Sequence, residues 1–205
     1  MNTLESTVSA VDPEPGPERL NALCDGVVSI ALTVLVVGLP LFLLTALLIK
    51  RESPGPVFFR QRRVGKDGQP FEMIKFRTMF VERSGDAPKP KTHDDPRLTG
   101  IGRWLRRYSL DELPQVLNVL KGDMSIVGPR PEMPFIVEKY GPLERERLRA
   151  KPGLTGLWQI SYARGEAIHE NMEYDIYYIE HQSFLLDLVI IALTGFAVVK
   201  GTGAY

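Results

Sequence analysis

The sequence predicts an α+β protein attached to a membrane, and three observations support this class. Residues 27–49 carry no charged side chain, two short strand-like segments follow them around a turn, and most later apolar positions recur with helical spacing. With 44% hydrophobic residues, the chain keeps enough apolar material beyond the uncharged run for one globular domain. We therefore expect one anchor followed by a mostly helical domain that carries a short β-hairpin.

The N-terminal elements are a tail, residues 1–18, and an anchor, residues 19–50. The tail is rich in proline and poor in apolar groups, which predicts disorder. The 23 uncharged residues of the anchor would cross a hydrocarbon core of roughly 30 Å as a helix. The acidic flank before this run and Lys50-Arg51 after it argue against a cleaved signal peptide.

Pro40 lies near the middle of the anchor, where it removes a backbone hydrogen bond and predicts a break. One interpretation is a spanning helix with a tolerated kink. The other is a re-entrant helix-break-helix that returns to the same face, with hydroxyls of Ser29, Thr33 or Thr45 satisfying the broken backbone. The residues alone leave both topologies open.

The net charge of zero averages unlike regions and argues against a general nucleic-acid binder. Residues 50–77 hold eight basic and three acidic side chains directly after the anchor. By the positive-inside bias, this places the following domain on the cytoplasmic face, close to anionic lipid. The single cysteine, Cys24, excludes a disulfide framework and a zinc cluster of paired cysteines, and it is compatible with a reducing compartment.

The domain begins with two predicted strands, in residues 57–65 and 69–79, around the turn Gly65-Lys66-Asp67-Gly68. A mobile loop is expected from Arg83 to about Asp95. Helical spacing then predicts helices over 103–121, over 134–149 with a break at Gly141-Pro142, and over 167–182. Residues 185–199 are almost wholly apolar but short for a span, so they fit an interfacial helix or a buried one.

Asp111 and Glu112 are the first candidate site residues. Pro114 is comfortable only in a first helical turn, so a helix should begin near Leu110 or Asp111, with both carboxylates at its positive end. Such an end favours ionised carboxylates and can assemble anions or a metal-bound phosphate. The alternative is ordinary capping, because Ser109 and Glu112 match a capping box.

Arginine and lysine side chains are the second set of candidates. The rings of Pro129 and Pro131 restrict the backbone around Arg130 and would hold its guanidinium in a direction suited to phosphate or base recognition. Lys75 and Arg77 alternate on the second predicted strand and should share one face. The alternatives are a surface arginine in a proline turn and a solvated basic face. The common phosphate-loop, zinc-protease, serine-hydrolase and dinucleotide motifs are absent.

Several segments, in order along most of the chain, resemble the bacterial sugar transferase family, the monotopic phosphoglycosyl transferases. They are the proline-broken anchor, KRESPGPVFFRQRRVG, FEMIKFRTM, DPRLTGIGRWLRR, SLDELPQVLNVLKGDMSIVGPRP, KPGLTGLWQI and GTGAY. The resemblance implies a re-entrant anchor and a catalytic domain, residues 51–205, on the cytoplasmic face of the bacterial inner membrane.

The resemblance also implies a reaction, the transfer of sugar-1-phosphate from a UDP-sugar to undecaprenyl or another polyprenyl phosphate. The products are a polyprenyl diphosphate sugar and UMP, and the step begins the assembly of exopolysaccharide, O-antigen or another glycoconjugate. Asp111 matches the family's nucleophile, which forms a covalent phosphosugar intermediate. Glu112, with Asp111, matches the site of the essential Mg²⁺.

The remaining matches concern substrate binding. Arg130, within Pro129-Arg130-Pro131, matches the nucleotide-binding element, and Lys75, Arg77 and Arg106 match basic positions around the active site. Two other functions stay open: direct transfer in a ternary complex, with Asp111 only positioning the acceptor or metal, and a non-enzymatic membrane scaffold. A homodimer in which residues 185–199 form the contact is a further expectation, beside their placement on the membrane.

Overall fold

The computed structural model describes residues 17–83, 92, 94–165 and 171–201. It confirms the mixed class, with eight α-helices and four short strands in this part of the chain. Residues 1–16 of the predicted tail, and most of the loop expected between Arg83 and Asp95, lie outside the described residues. The helices are α1 Pro17–Glu52, α2 Gly100–Arg107, α3 Val116–Lys121, α4 Pro134–Val137, α5 Pro142–Arg145, α6 Leu157–Ile160, α7 Glu173–Glu180 and α8 Phe184–Lys200.

The first helix, α1, begins two residues earlier than the predicted anchor, and Pro17 suits its first turn because a missing N–H costs nothing there. It runs through Pro40 to Glu52 without interruption, so the helix is not broken at Pro40 as the sequence predicted. A proline removes one hydrogen bond and crowds one carbonyl, a local cost that a long helix accommodates. Judged on the described residues, no helix has both the length and the apolarity needed to cross a bilayer.

The C-terminal part of α1 belongs to the main hydrophobic core. Phe42, Thr45 and Ile49 are buried, and their spacing places them on one face of the helix. The Phe42 ring meets the Phe76 ring edge-on, with centroids 5.3 Å apart. Leu105 is buried in the same cluster. Part of the predicted anchor therefore packs directly onto the domain that follows it.

The predicted hairpin is confirmed. Strand β1, Phe58–Val64, pairs antiparallel with β2, Pro70–Phe76, and Asp67 takes a left-handed conformation (φ 54°) in the turn. The other edge of β2 is bonded by a buried side chain, because Asn118 accepts the Ile74 N–H at 3.0 Å and donates to the Glu72 carbonyl at 2.7 Å. This amide takes the place of a neighbouring strand and fixes β2 against α3.

The predicted helix over 103–121 is divided by a sharp turn. After α2, Ser109 adopts a left-handed conformation (φ 53°, ψ 20°), and a 3₁₀ helix, Leu110–Gln115, leads into α3. The start predicted near Leu110 is confirmed, but the capping box is wrong, because the Ser109 side chain makes no capping hydrogen bond. A capping side chain reaches the first turn from extended backbone, which Ser109 does not have.

A second, parallel pair of strands was not predicted. Strand β3, Ser125–Val127, pairs with β4, Gly153–Thr155. A Cβ at Gly153 would overlap the backbone of Gly128, so glycine is needed where these two segments meet. The pair joins the segment that follows α3 to the region before α6 and α8, two helices that line the main cavity.

The helices predicted over 134–149 and 167–182 lie where the sequence predicted them, but they are shorter than the predicted ranges. Helices α4 and α5 lie on either side of the break expected at Gly141-Pro142, and a 3₁₀ helix, Glu146–Arg149, continues α5. Of the helix predicted over 167–182, the structure describes α7, and residues 166–170 lie outside the described part. The apolar segment 185–199 is confirmed as a helix within α8.

Candidate active site

A cavity of about 270 Å³ opens beside the 3₁₀ helix Leu110–Gln115. Its charged lining combines side chains from β2, α2, the 3₁₀ helix and the segment after β3. Most of the other lining residues come from β4, α6 and α8. The charged lining residues are Lys75, Arg106, Asp111, Glu112 and Arg130. Five of the eight predicted site residues therefore lie around one cavity.

Glu112 is held between two basic side chains. Lys75 Nζ donates to Glu112 Oε1 at 2.6 Å, and Arg130 Nη2 donates to the same oxygen at 2.7 Å. Arg130 Nη1 lies 3.3 Å from Oε2, which makes the arginine contact two-pronged. Burial alone would raise the pKa of Glu112, but the charges of Arg130 and Lys75 outweigh it and hold that pKa well below its usual range. Glu112 is therefore an ionised carboxylate already engaged by cations.

The neighbouring carboxylate of Asp111 has a different environment. In the described part of the chain, no group donates a hydrogen bond to its side chain. Burial, and then the negative charge of Glu112, raise the pKa of Asp111, while Lys75, Arg106 and Arg130 oppose that rise. Two adjacent carboxylates thus play unlike parts: Glu112 is bound to cations, and Asp111 keeps its oxygens available at the cavity.

The backbone behind Arg130 is fixed by more than the two proline rings. The carbonyl of residue 129 accepts the Gly153 N–H at 2.9 Å, and that of residue 131 accepts from Arg63 Nη1 at 3.2 Å. The carbonyl of Arg130 itself accepts from Arg147 Nη2 at 2.6 Å. Every carbonyl of the Pro-Arg-Pro segment is therefore bonded, so the guanidinium of Arg130 projects from a rigid base.

Arg147 belongs to a buried polar network that sequence reasoning missed. Its Nη2 also donates to Asp175 Oδ2 at 2.6 Å, and its Nη1 donates to the Tyr140 hydroxyl at 2.6 Å. The side chains of Arg147 and Asp175 are both 2% exposed. Burial raises the pKa of Asp175, against the opposing charge of Arg147. In the sequence Arg147 is one of four basic residues between 145 and 151, and nothing local distinguishes it from its neighbours.

Arg77 does not line the cavity, contrary to the prediction that it belongs to the site with Lys75. Its Nη1 donates to the Pro54 carbonyl at 2.6 Å and its Nη2 to the Ser53 carbonyl at 2.9 Å, so it secures the chain just after α1. The Arg77 N–H still bonds to the Val57 carbonyl at 2.9 Å, so its exclusion from the cavity comes from the side-chain bonds to the carbonyls of residues 53 and 54. Arg77 is a structural residue here.

The apolar wall of the cavity was not predicted. It is mostly apolar and comes from the segment KPGLTGLWQI, residues 151–160, and from α8. Its members include Leu154, Thr155, Trp158, Gln159, Ile160, Ile191, Thr194 and Val198. The apolar character of α8 was visible in the sequence, but which of its faces meets the carboxylates depends on the tertiary fold.

The carboxylates of Asp111 and Glu112 fit a Mg²⁺ ion that takes most of its ligands from phosphate oxygens and water. Within the described residues no group of three or more acidic, histidine or cysteine side chains is assembled. Mg²⁺ is commonly held by one or two carboxylates together with phosphate oxygens and water. Asp111 offers unengaged oxygens for such an ion, and Glu112 already shares its oxygens with Lys75 and Arg130.

Comparison with known proteins gives consistent matches. A sequence model described as bacterial sugar transferase matches residues 17–201. The exopolysaccharide production protein ExoY of Sinorhizobium fredii is 42% identical over 193 residues, which are 87% of this chain and 85% of that protein. The UDP-glucose:undecaprenyl-phosphate glucose-1-phosphate transferase of Escherichia coli is 41% identical over 201 residues. The galactosyl transferase CpsE of Streptococcus agalactiae is 43% identical over 166 residues.

The relatives differ in how much longer they are than this chain. The alignment with the Escherichia coli transferase covers 94% of this chain and 43% of that protein, and the alignment with CpsE covers 75% of this chain and 37% of that protein. The chain thus spans less than half of these two relatives and most of ExoY.

Proposed function

Because the chain belongs to the bacterial sugar transferase family, we propose that it transfers a sugar-1-phosphate from a UDP-sugar to undecaprenyl or another polyprenyl phosphate. UMP and a polyprenyl diphosphate sugar are the products, and the step begins exopolysaccharide assembly. A relative from Escherichia coli is named for this reaction with glucose. The observation that carries the proposal is the Asp111 carboxylate, free of hydrogen bonds from described residues, in a cavity that also holds Lys75, Arg106 and Arg130.

In the first step, an oxygen of Asp111 attacks the β-phosphorus of the UDP-sugar. The new bond joins the carboxylate to the phosphorus that carries the sugar, and the bond from that phosphorus to the bridging oxygen breaks. UMP leaves with the electron pair, and no proton is transferred. Asp111 suits this part better than Glu112, because Glu112 would first have to give up its contacts with Lys75 and Arg130.

The main barrier is the approach of one anion to another, and the cations of the cavity reduce it. Arg130 and Arg106 can neutralise the diphosphate, and Lys75 lies close enough to Glu112 to keep that carboxylate from repelling the substrate. A Mg²⁺ ion held by Asp111 and Glu112 would add positive charge at the phosphate oxygens. The Pro-Arg-Pro segment supports this role, because its bonded carbonyls hold the Arg130 backbone in place.

In the second step, a phosphate oxygen of the polyprenyl phosphate attacks the same phosphorus. The bond between Asp111 and phosphorus breaks, the carboxylate is regenerated, and a diphosphate bond is formed. The attacking phosphate is already ionised, so this step also proceeds without a general base. Two successive displacements by anions explain a site rich in arginine and lysine whose lining holds no histidine among the described residues.

The enzyme is expected to work at the cytoplasmic face of the inner membrane. A return of the anchor to that face requires α1, which is helical throughout, to bend within the membrane, and Pro40 is the position suited to such a bend. The uncharged run 27–49, the basic segment 50–77 and the packing of Phe42 and Ile49 onto the domain support this placement. In a Cys24→Ser background, a cysteine at residue 5 should react with an impermeant maleimide in cytosol-side-out vesicles. Labelling of that cysteine only from the outside of intact spheroplasts would instead support a spanning helix.

The activity itself is tested with purified protein, Mg²⁺, undecaprenyl phosphate and a panel of UDP-glucose, UDP-galactose and UDP-N-acetylglucosamine. We expect UMP release and a lipid diphosphate sugar with at least one donor, and loss of both when Mg²⁺ is chelated. If no donor yields UMP or lipid product while the protein remains folded, the scaffold function replaces the enzymatic one.

A further inference from the structure

Helix α8 presents apolar side chains both to the cavity and to the outside of the protein. Ile191, Thr194 and Val198, spaced three and four residues apart, line the cavity. On other faces of the helix, large apolar side chains such as Leu193 (48%), Phe196 (59%) and Val199 (81%) are exposed. No charged residue occurs between Asp187 and Lys200, so an apolar surface continues from the outside of α8 to the cavity.

The one hydroxyl that α8 contributes to this wall is engaged within the protein. Thr194 Oγ1 donates to the Ile190 carbonyl at 2.7 Å and lies 2.6 Å from Thr155 Oγ1. A ligand that lies against Ile191, Thr194 and Val198 therefore meets a surface that offers it methyl groups and a hydroxyl already bonded. Such a wall favours hydrocarbon and disfavours a polar group that would lose its water.

The cavity as a whole is amphiphilic. Lys75, Arg106 and Arg130 line it together with the two carboxylates, and Ile191, Thr194 and Val198 of α8 add an apolar wall to the same cavity. A nucleotide sugar carries hydroxyl or carbonyl groups along its whole length, and the wall would leave these without partners. An alkyl phosphate matches both kinds of lining, with its anion among the cations and its chain against the wall.

We propose that the wall formed by Ile191, Thr194 and Val198 binds the first isoprene units of the polyprenyl phosphate acceptor. The inference rests on the proposed function and deepens it, because it assigns the acceptor to one side of the cavity. The exposed apolar face of α8 supports it, since a surface of this kind marks a lipid or partner contact and would let the long chain continue outward into lipid. The acceptor thus reaches Asp111 from the side of α8.

The test uses two wall variants, Val198→Asn and Ile191→Asn, and the matched control Leu143→Asn at an exposed leucine of α5. The steady-state KM is measured in detergent for three substrates: the UDP-sugar, farnesyl phosphate and ethyl phosphate. Farnesyl phosphate has three isoprene units and ethyl phosphate has none. Each wall variant should raise the KM for farnesyl phosphate about 10-fold, the usual effect of a lost apolar pocket contact. In the same variants, the KM values for ethyl phosphate and for the UDP-sugar should change by less than about twofold.

The control should leave the KM for farnesyl phosphate unchanged, because Leu143 neither lines the cavity nor belongs to α8. Thermal unfolding identifies any variant that fails to fold, and Ile191 is 36% exposed, so its substitution is expected to be tolerated. The proposal is overturned if the wall variants raise the KM for the UDP-sugar as much as that for farnesyl phosphate, or if neither value changes. A wild-type protein that makes no product from any acceptor would instead contradict the proposed function.

Discussion

Replacing Asp111 with asparagine is expected to abolish the protein-bound sugar intermediate and to slow UMP release by about 10³-fold or more, as removal of a covalent nucleophile does. The amide has nearly the same size as the carboxylate but carries no charge and does not attack phosphorus. No described residue donates a hydrogen bond to the Asp111 side chain, so the substitution breaks no such contact. The loss should therefore be one of chemistry, with the unfolding temperature little changed.

The measurement is to incubate the protein with UDP-sugar labelled in the sugar, without acceptor, and to count label in the precipitated protein. An acyl phosphate is cleaved by hydroxylamine, so the label on the wild type should be released by that reagent. The matched control is Asp67→Asn, in the exposed hairpin turn, where the left-handed backbone (φ 54°) suits asparagine. This control should retain both the label and full UMP release.

Two other results would assign the chemistry differently. Label that survives in Asp111→Asn but disappears in Glu112→Gln would make Glu112 the nucleophile. A wild type that releases UMP only when acceptor is present, and never carries label, would favour direct transfer in a ternary complex. The unlike environments of the two carboxylates make the first of these results unexpected, because Glu112 is held at 2.6 Å by Lys75 and at 2.7 Å by Arg130.

The parts of the fold that the sequence predicted are those decided by local chemistry. The turn residues between 65 and 68 specify the hairpin, and Pro114 places a helical start near Leu110. Proline and glycine also place the break between α4 and α5. In each case the backbone preference of one or two residues determines the structure, whatever lies across the core.

The parts that could not be predicted depend on residues distant in the chain. Asn118 bonds the edge of β2 across 44 positions, and β3 pairs with β4 across 28, and neither contact has a local signature. Lys75 and Arg77 show the same limit at the site. Their spacing predicts one shared face, yet only Lys75 reaches the cavity, because the Arg77 side chain is bonded to two carbonyls just after α1. The charged half of the site was therefore predictable by motif, and its apolar half was not.

The second large effect is expected at Arg147, whose replacement by methionine should destabilise the fold by about 3–5 kcal/mol. The side chain of Asp175 is 2% exposed and would be left as a buried carboxylate without its cation. The Tyr140 hydroxyl and the Arg130 carbonyl would lose donors in the same change. For a chain of this size the unfolding temperature should fall by roughly 6–20 °C, measured by thermal unfolding in detergent.

The matched control is the surface ion pair of Arg149 and Glu146, which lie on either side of Arg147 in the sequence. It is an ion pair at 2.9 Å, but both side chains are exposed, Arg149 by 72% and Glu146 by 49%, so Arg149→Met should cost less than about 1 kcal/mol. Equal losses of stability in the two variants would contradict a special role for the buried pair. The double variant Arg147→Met/Asp175→Leu should recover part of the stability, because no unpaired charge is then buried.

The pH dependence of the stability lost in Arg147→Met gives an independent check on the cause of that loss. Burial already raises the pKa of Asp175, and removing Arg147 would raise it further. A carboxyl whose pKa is higher in the folded than in the unfolded protein binds a proton on folding. It therefore destabilises the fold most when the pH is above its folded pKa, and this destabilisation decreases as the pH falls. The difference between Arg147→Met and the wild type should therefore shrink as the pH is lowered. A deficit independent of pH would point to the lost hydrogen bonds to Arg130 and Tyr140 as its main cause.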